Sequence, residues 1–287
     1  MNWIFASFLM FVSSVILYLL IRKSSLLETP TVFNNFAMFA IPVIIYLPFV
    51  LTSKISLKIN THQLLIIIVS AIFFSYLGNK FSLKSIEYAP NPGYSLIISK
   101  SYVVFTSIAS LFLFHSTLTF KAALAIFFIV GASALIMINK NLQNISHVRA
   151  SWLPLAIGAF LCWGMLALTS KYLIIIGVSI VPRLIYTMAI VSLIIVFEMN
   201  RKSIRWKILN SAQILTLLFI GIFSAGFNYF MQVGFISAPN IGYVNAINAS
   251  SISAVTLFSA LIFKDELTKK KLLGIVGVTI GLIILVI

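Results

Sequence analysis

Apolar residues run in long stretches separated by short polar gaps, and this pattern predicts the elements of the chain. A helix that crosses the hydrocarbon core needs about 20 apolar residues at a rise of about 1.5 Å each. The stretches lack the period-two alternation of membrane strands. We therefore predict an all-α integral membrane protein with ten transmembrane helices. They span residues 2–21, 32–51, 63–79, 92–114, 120–138, 152–176, 180–198, 212–235, 240–262 and 269–287.

A second pattern is an internal repeat. The hexapeptide Ala89–Tyr94 returns as Ala238–Tyr243, 149 residues later, with one substitution. The same offset carries Phe74-Ser75 onto Phe223-Ser224 and Leu118-Thr119 onto Leu267-Thr268. A self-match at a fixed offset indicates duplication. We predict two five-helix repeats, residues 1–140 and 150–287. Because five is odd, the second repeat enters the membrane inverted, an arrangement that recurs in transporters.

Composition supports a bilayer environment. Hydrophobic residues make up 61% of the 287 residues and charged residues 9%, with a mean hydropathy of +1.12. A soluble domain carries about 25% charged residues. The first apolar run has no basic segment before it and no small-residue cleavage site after it, so we expect a retained helix. A single cysteine, Cys162, excludes an internal disulfide and a multi-cysteine metal site.

The net charge of +15 reflects membrane orientation, not affinity for nucleic acid. Fourteen of the twenty basic residues lie in the loops after the odd-numbered helices, and three lie in the opposite loops. The first group is Arg22, Lys23, Lys80, Lys84, Lys140, Arg149, Arg201, Lys202, Arg205, Lys207, Lys264, Lys269, Lys270 and Lys271; the second is Lys54, Lys58 and Lys121. The positive-inside rule places the first group in the cytoplasm and both termini outside.

Three cations fall inside predicted helices and are candidate substrate ligands. Lys100 lies eight residues past Pro92, about 12 Å into its helix. Lys171 and Arg183 lie on either side of a turn near Gly177. Each is six residues from Gly177, which places both about 9 Å from the turn along neighbouring helices. Ionisable residues at such depths are costly and usually functional. The alternatives are pairing of Lys100 with backbone carbonyls, and snorkelling of the other two to the headgroups.

Polar residues on three helices complete the candidate site. The fourth helix carries Tyr94, Ser99 and Tyr102; the ninth carries Tyr243, Asn245 and Asn248; the eighth carries Asn228, Tyr229 and Gln232. Buried amides need partners, which are either substrate or another helix. The five acids, Glu28, Glu87, Glu198, Asp265 and Glu266, all fall at or near predicted helix ends. The sequence therefore offers no catalytic set, no metal site and no cofactor motif, and we predict no enzyme activity.

Several motifs resemble those of a known family. Trp163-Gly164, Lys171 and Pro182-Arg183, followed by Glu266, Gly274 and Gly281, resemble an EamA-like repeat of the drug/metabolite transporter superfamily. The first half departs from this pattern, with Ser14-Val15, Arg22, Asn34 and Thr117 at the equivalent positions. The resemblance implies ten helices in two inverted repeats and both termini in the cytoplasm, opposite to the orientation from charge. It also implies a multi-pass protein, which we expect in a bacterial inner (plasma) membrane.

Together these observations predict a secondary transporter or facilitator. Its expected substrate is a small anionic or zwitterionic metabolite, such as an amino acid, because the three deepest charges are all positive. We predict contact with the lipid bilayer and with this small-molecule substrate. The sequence is compatible with a homodimer. The alternatives are an exporter of hydrophobic or cationic drugs, and a membrane enzyme or scaffold acting on lipid.

Overall fold

The computed structural model describes residues 1–53, 55–90, 92–138, 149–204 and 209–287, with the backbone alone at 92 and 93. The predicted loop residues Lys54, Lys140, Arg205 and Lys207, and Asn91 of the first hexapeptide, lie outside the described residues. The end of the first predicted repeat at residue 140 does so as well.

All regular structure in this described part of the chain is helical, which confirms the predicted all-α fold. Nine of these helices are long and apolar enough to cross a membrane, and the tenth begins with three lysines. The helices are α1 (Trp3–Leu26), α2 (Thr31–Ser53), α3 (Thr61–Tyr88), α4 (Pro92–Lys100 and Tyr102–Phe114), α5 (Phe120–Met137), α6 (Trp152–Ile175), α7 (Ile180–Arg201), α8 (Ser211–Ser237), α9 (Ile241–Phe263) and α10 (Lys269–Val286).

Helix α3 differs from its prediction in length and in geometry. It continues to Tyr88, because Gly78, Ser82 and Ser85 face the protein interior and not water. Lys80 and Lys84, predicted as loop residues, therefore lie within this helix. Its central turns, Ser70–Tyr76, are π-helical. Such π-helical turns are rare in proteins, and those that occur are frequently found at functional sites.

Helix α4 is interrupted at Ser101, although its apolar run predicts a continuous helix. The Ser101 side chain donates to the carbonyl of Ile97 at 2.7 Å, and its backbone N–H contacts the carbonyls of Ile97 and Ile98 at 3.1 and 3.2 Å. A serine that bonds back to the preceding turn often bends a helix. Lys100 is therefore the last residue of the first segment.

The helix ends carry equivalent geometry at the repeat offset. Thr119 and Thr268 each cap the next helix by accepting a hydrogen bond from the backbone N–H three residues on. His115 and Lys264 both adopt the left-handed conformation, with φ of 49° and 60°. The capping-box residues Gln63 and Gln213, which are 150 positions apart and so one residue off this offset, donate to the carbonyls of Ile176 and Leu27, respectively. These matches explain why the threonines recur in the sequence.

Helix packing brings the two halves of the chain together. Helix α1 packs on α8 and α6 packs on α3, while α2 packs on α7, α4 on α9 and α5 on α10. Helix α9 is the most enclosed, since every residue from Ile241 to Ser251 is buried. Its second residue, Gly242, lies against Ser107 of α4, where a Cβ atom would meet the Ser107 backbone Cα at 2.8 Å. Small residues permit such close approach between membrane helices.

An ion pair ties α1 to the loop after α9. Arg22 donates from Nε to Oδ2 of Asp265 at 3.0 Å and from Nη2 to Oδ1 at 2.6 Å. Ser259 also donates to Asp265. The hydrogen bonds from Arg22 are the main reason why the pKa of the Asp265 carboxyl is lowered, and burial opposes them with a smaller effect. The Ser259 hydrogen bond and the charges of Arg22 and Lys271 lower this pKa further. Asp265 lies outside the membrane-spanning segments.

This pair predicts a dependence of stability on pH. A lowered carboxyl pKa contributes stability above the unfolded value of about 3.9, and that stability is lost as pH falls through the folded value. Since both side chains are substantially exposed, we expect less than about 1 kcal/mol. At pH 7 the wild type should unfold at a higher temperature than Asp265→Asn, and the two should converge only once the pH falls below the lowered pKa of the folded carboxyl, which itself lies below the unfolded value of about 3.9. An unchanged difference between pH 7 and the acid limit would refute this assignment.

Candidate functional site

A cavity of about 160 Å³ lies at the centre of the helix bundle. It is enclosed by residues of α1, α2, α3, α4, α6, α8 and α9 from both halves of the chain. Its polar lining is Tyr18, Ser75, Asn79, Lys100, Tyr102, Trp163, Ser170, Ser224, Asn228, Asn245 and Asn248. The remaining lining is apolar and rich in aromatic and methionine side chains: Met38, Phe39, Leu166, Ala167, Phe227, Met231 and Phe235.

Residues at the repeat offset line the cavity in pairs. Ser75 corresponds to Ser224, and Asn79 corresponds to Asn228. Tyr18 corresponds to Ala167, which also lines the cavity. The cavity therefore lies between equivalent surfaces of the two halves. Substrate sites of transporters built from inverted repeats lie at this kind of interface.

Lys100 supplies the cavity with a positive charge. Its Nζ lies 4.8 Å from the ring centroid of Trp163, a cation–π contact. Tyr18 and Tyr102 contribute hydroxyl groups to the lining of the same cavity. No Asp or Glu occurs among the described residues that line the cavity. The site thus holds an ammonium surrounded by a π face and neutral hydroxyls, without a carboxylate to neutralise it.

Three asparagines of the cavity wall also join helices or turns. Asn245 donates from Nδ2 to Oγ1 of Thr106 at 3.0 Å, which connects α9 to α4. Asn248 donates to the hydroxyl of Tyr102 at 3.4 Å, which connects the same two helices. Asn228 donates to the carbonyl of Ser224 at 2.8 Å within α8. The amides therefore hold the cavity wall together as well as line it, and contact with another helix, one of the two roles expected from the sequence, occurs for Asn245 and Asn248.

The other two deep cations lie outside the cavity lining. Lys171 donates from Nζ to the carbonyls of Phe235 and Ile236, at 2.5 and 3.3 Å. These carbonyls end α8, where the helix dipole favours a cation. The buried Arg183 donates to the carbonyl of Ser170 and to Oε1 of Gln232. Lys171 and Arg183 thus connect α6, α7 and α8 and do not face one shared anion.

Four further candidates, Tyr94, Ser99, Tyr229 and Tyr243, also lie away from the cavity. Tyr94 is exposed, and Ser99 donates to the carbonyl of Leu96 within its own helix. The Tyr229 ring packs edge-to-face on Phe230, with centroids 5.5 Å apart. The Tyr243 hydroxyl donates to the carbonyl of Thr117 at 3.1 Å and fixes the α4–α5 connection. The cavity therefore unites five of the twelve sequence candidates: Lys100, Tyr102, Asn228, Asn245 and Asn248.

Sequence reasoning missed six polar residues of the lining: Tyr18, Ser75, Asn79, Trp163, Ser170 and Ser224. The repeat itself held a signal for three of them. Applying the offset to Asn228 gives Asn79, and Ser75 and Ser224 are themselves a matched pair. Trp163 belongs to a quoted motif but received no role. Tyr18 and Ser170 gave no signal, because single hydroxyls are common in membrane helices.

Within the described ranges, no group of three or more His, Cys, Asp or Glu side chains is arranged as a metal site would require. The polar groups that the cavity lining offers are one ammonium, amides, hydroxyls and an indole N–H.

Comparison with known proteins identifies the second half of the chain. Residues 150–287 match the sequence model of the EamA-like transporter family. This confirms the resemblance drawn from Trp163-Gly164 and the later motifs, which all lie in that half. No curated protein matches the chain.

Solved structures support the fold. Matches extend to 29 chains of solved structures. One crystal structure superposes with a TM-score of 0.78 over 98% of this chain and 96% of its own, at 11% sequence identity. At that identity the similarity shows the fold alone.

Proposed function

Because the chain belongs, through residues 150–287, to the EamA-like transporter family of the drug/metabolite transporter superfamily, we propose that it moves a small anionic or zwitterionic metabolite by alternating access. It is a multi-pass integral membrane protein of a transporter family. The substrate class and the mechanism are our inference from the central cavity. Location in a bacterial inner membrane and formation of a homodimer remain predictions.

The observation that carries the proposal is the Lys100 ammonium in the cavity wall. A charge enclosed in low dielectric without a partner of opposite sign is costly. A carboxylate or phosphate of the substrate would form charge-assisted hydrogen bonds there, which are about twice as strong as neutral ones. An organic cation in the same space would be repelled by Lys100. The cavity therefore favours an anionic group.

The rest of the lining suggests what the anionic group is attached to. Trp163, Phe227 and Phe235 offer apolar surface, and Asn79, Asn228 and Asn245 offer amides. A volume of about 160 Å³ is smaller than the 300–1,000 Å³ of typical drug-sized pockets. These features favour a small amphipathic solute, such as an amino acid with an apolar side chain, over a large hydrophobic drug.

Alternating access and inverted repeats at residues 1–140 and 150–287 are supported by the placement of equivalent residues. The Ser75/Ser224 and Asn79/Asn228 pairs face one cavity, so rocking of one half against the other would move them in a related way. The break in α4 beside Lys100 has no counterpart in the continuous α9. Broken helices near a substrate site are frequent in transporters.

Uptake by proteoliposomes tests this function. Purified protein is reconstituted and supplied separately with labelled leucine, labelled succinate and ethidium, with protein-free liposomes as the blank. We expect saturable uptake of the zwitterion or the dianion and none of ethidium. Saturable ethidium flux without either of the others would support the drug-exporter alternative instead. Chemical change of the liposome lipids, without solute flux, would support a lipid enzyme.

A further inference from the structure

A second cavity, of about 270 Å³, adjoins the central one. We call it the vestibule. It lies among the beginning of α2, the second half of α3 and the second half of α7, and it shares Phe39 and Asn79 with the central cavity. These helix ends lie on the face of the membrane where α1, α3, α5, α7 and α9 end, which is the side rich in basic residues. A solute passing from that face to Lys100 would cross the vestibule.

The vestibule has an excess of positive charge. Lys80, Lys84 and Lys202 line it together with one carboxylate, Glu198. Glu198 therefore offsets one of the three ammonium charges. Helix α2 begins at Thr31 in the same wall, and the N-terminus of a helix favours anions through its dipole and its backbone N–H groups.

Glu198 occupies the position that an incoming anion would take. Lys80 donates from Nζ to Oε1 of Glu198 at 2.8 Å, and the Tyr76 hydroxyl donates to the same oxygen. The two side chains of the ion pair remain 41% and 32% exposed. A pair exposed to this extent contributes little to stability, because water screens it. A second carboxylate can therefore replace Glu198 on Lys80 at small cost.

We propose that the vestibule is a second anion-binding subsite, in which Lys80, with Lys84 and Lys202, receives the anionic group of the substrate in competition with Glu198. The proposal rests on the proposed function, because it treats the vestibule as the entry to the Lys100 site. Asn79 borders both cavities and is the shared polar residue through which the anionic group passes from one to the other. The exchange of carboxylates at Lys80 makes and breaks no covalent bond.

Bromide, an anion that can be located by its anomalous scattering, tests the proposal in crystals of the full chain. We expect one bromide at Lys100 and a second in the vestibule within hydrogen-bonding distance of Lys80. Lys80→Gln should lose the vestibule bromide and keep the one at Lys100. Glu198→Gln, which removes the competing carboxylate, should raise vestibule occupancy at the same bromide concentration. Lys80→Arg keeps the positive charge and should retain the site.

The outcomes separate this proposal from the proposed function. No vestibule bromide in both the wild type and Glu198→Gln would overturn the second subsite, even if Lys100 binds bromide. A vestibule bromide unchanged by Lys80→Gln would overturn it as well. A vestibule bromide without one at Lys100 would instead count against the central anion site and leave the vestibule standing.

Discussion

Replacement of Lys100 with glutamine is expected to lower kcat/KM for an anionic or zwitterionic solute by about 10- to 100-fold. A hydrogen bond to a charged group contributes about 1.5–3 kcal/mol, and each 1.4 kcal/mol corresponds to a factor of ten. Glutamine keeps much of the length of the side chain and can still donate a hydrogen bond. The loss would therefore report the missing charge. The measurement is the initial rate of solute uptake by proteoliposomes over a range of solute concentrations.

Two further variants control this result. Lys100→Arg keeps the charge and should retain more activity than Lys100→Gln, although the larger guanidinium must fit beside Trp163. Lys121→Gln makes the same chemical change at an exposed residue of α5 that does not line the cavity. It should transport at the wild-type rate. If Lys100→Gln transports anions normally and Lys121→Gln does too, the cavity does not recognise its substrate by charge.

The presence of Lys100 inside the helix bundle was predictable, because its position within an apolar run follows from the sequence. The sequence also shows that its repeat equivalent is Ala249, so the repeat itself does not need this lysine. The partner of its ammonium, the Trp163 ring, was not predictable. Trp163 lies 63 positions further on, and only the packing of α6 against α4 brings the two together. Contacts between helices depend on rotation about each helix axis, which a uniformly apolar run leaves undefined.

The cations Lys171 and Arg183 illustrate the opposite case. Both lie near helix ends, four residues before Ile175 and three after Ile180, and their partners are the carbonyls of Phe235, Ile236 and Ser170 together with the Gln232 side chain. A cation near the end of one helix can bond to the C-terminal carbonyls of a neighbouring helix, and sequence reasoning has no sign of which neighbour is in reach. Depth alone therefore does not separate a substrate ligand from a helix connector.

The hexapeptide repeat shows how a motif can be structural and still mark the site. Asn240 caps α9 by accepting a hydrogen bond from the Gly242 N–H at 2.8 Å, and it donates to the carbonyl of Ser107 at 3.0 Å. Gly242 allows the close approach to α4, and Tyr243 fixes the connection between α4 and α5. None of these three residues lines the cavity. They hold α9 against α4 so that Asn245 and Asn248, one and two turns further on, form its wall.

Substitution of Gly242 by alanine should be the most destabilising small change in this region. The added Cβ would lie 1.9 Å from Oγ, 2.7 Å from Cβ and 2.8 Å from the backbone Cα of Ser107. A side chain could rotate away, but the backbone contact requires α4 and α9 to separate. Overpacking of this kind typically costs about 1–3 kcal/mol. We expect a clear fall in the unfolding temperature of the purified protein, measured by tryptophan fluorescence.

The matched control is Gly131→Ala in α5, where an added Cβ would have no heavy atom within 4 Å. Alanine favours a helix over glycine by up to about 1 kcal/mol, so this variant should unfold at the same or a higher temperature. Ser107→Gly combined with Gly242→Ala removes the contacts with Oγ and Cβ but leaves the one with Cα. It should therefore recover only part of the loss. If Gly242→Ala and Gly131→Ala unfold at equal temperatures, α4 and α9 do not cross as closely as the structure shows.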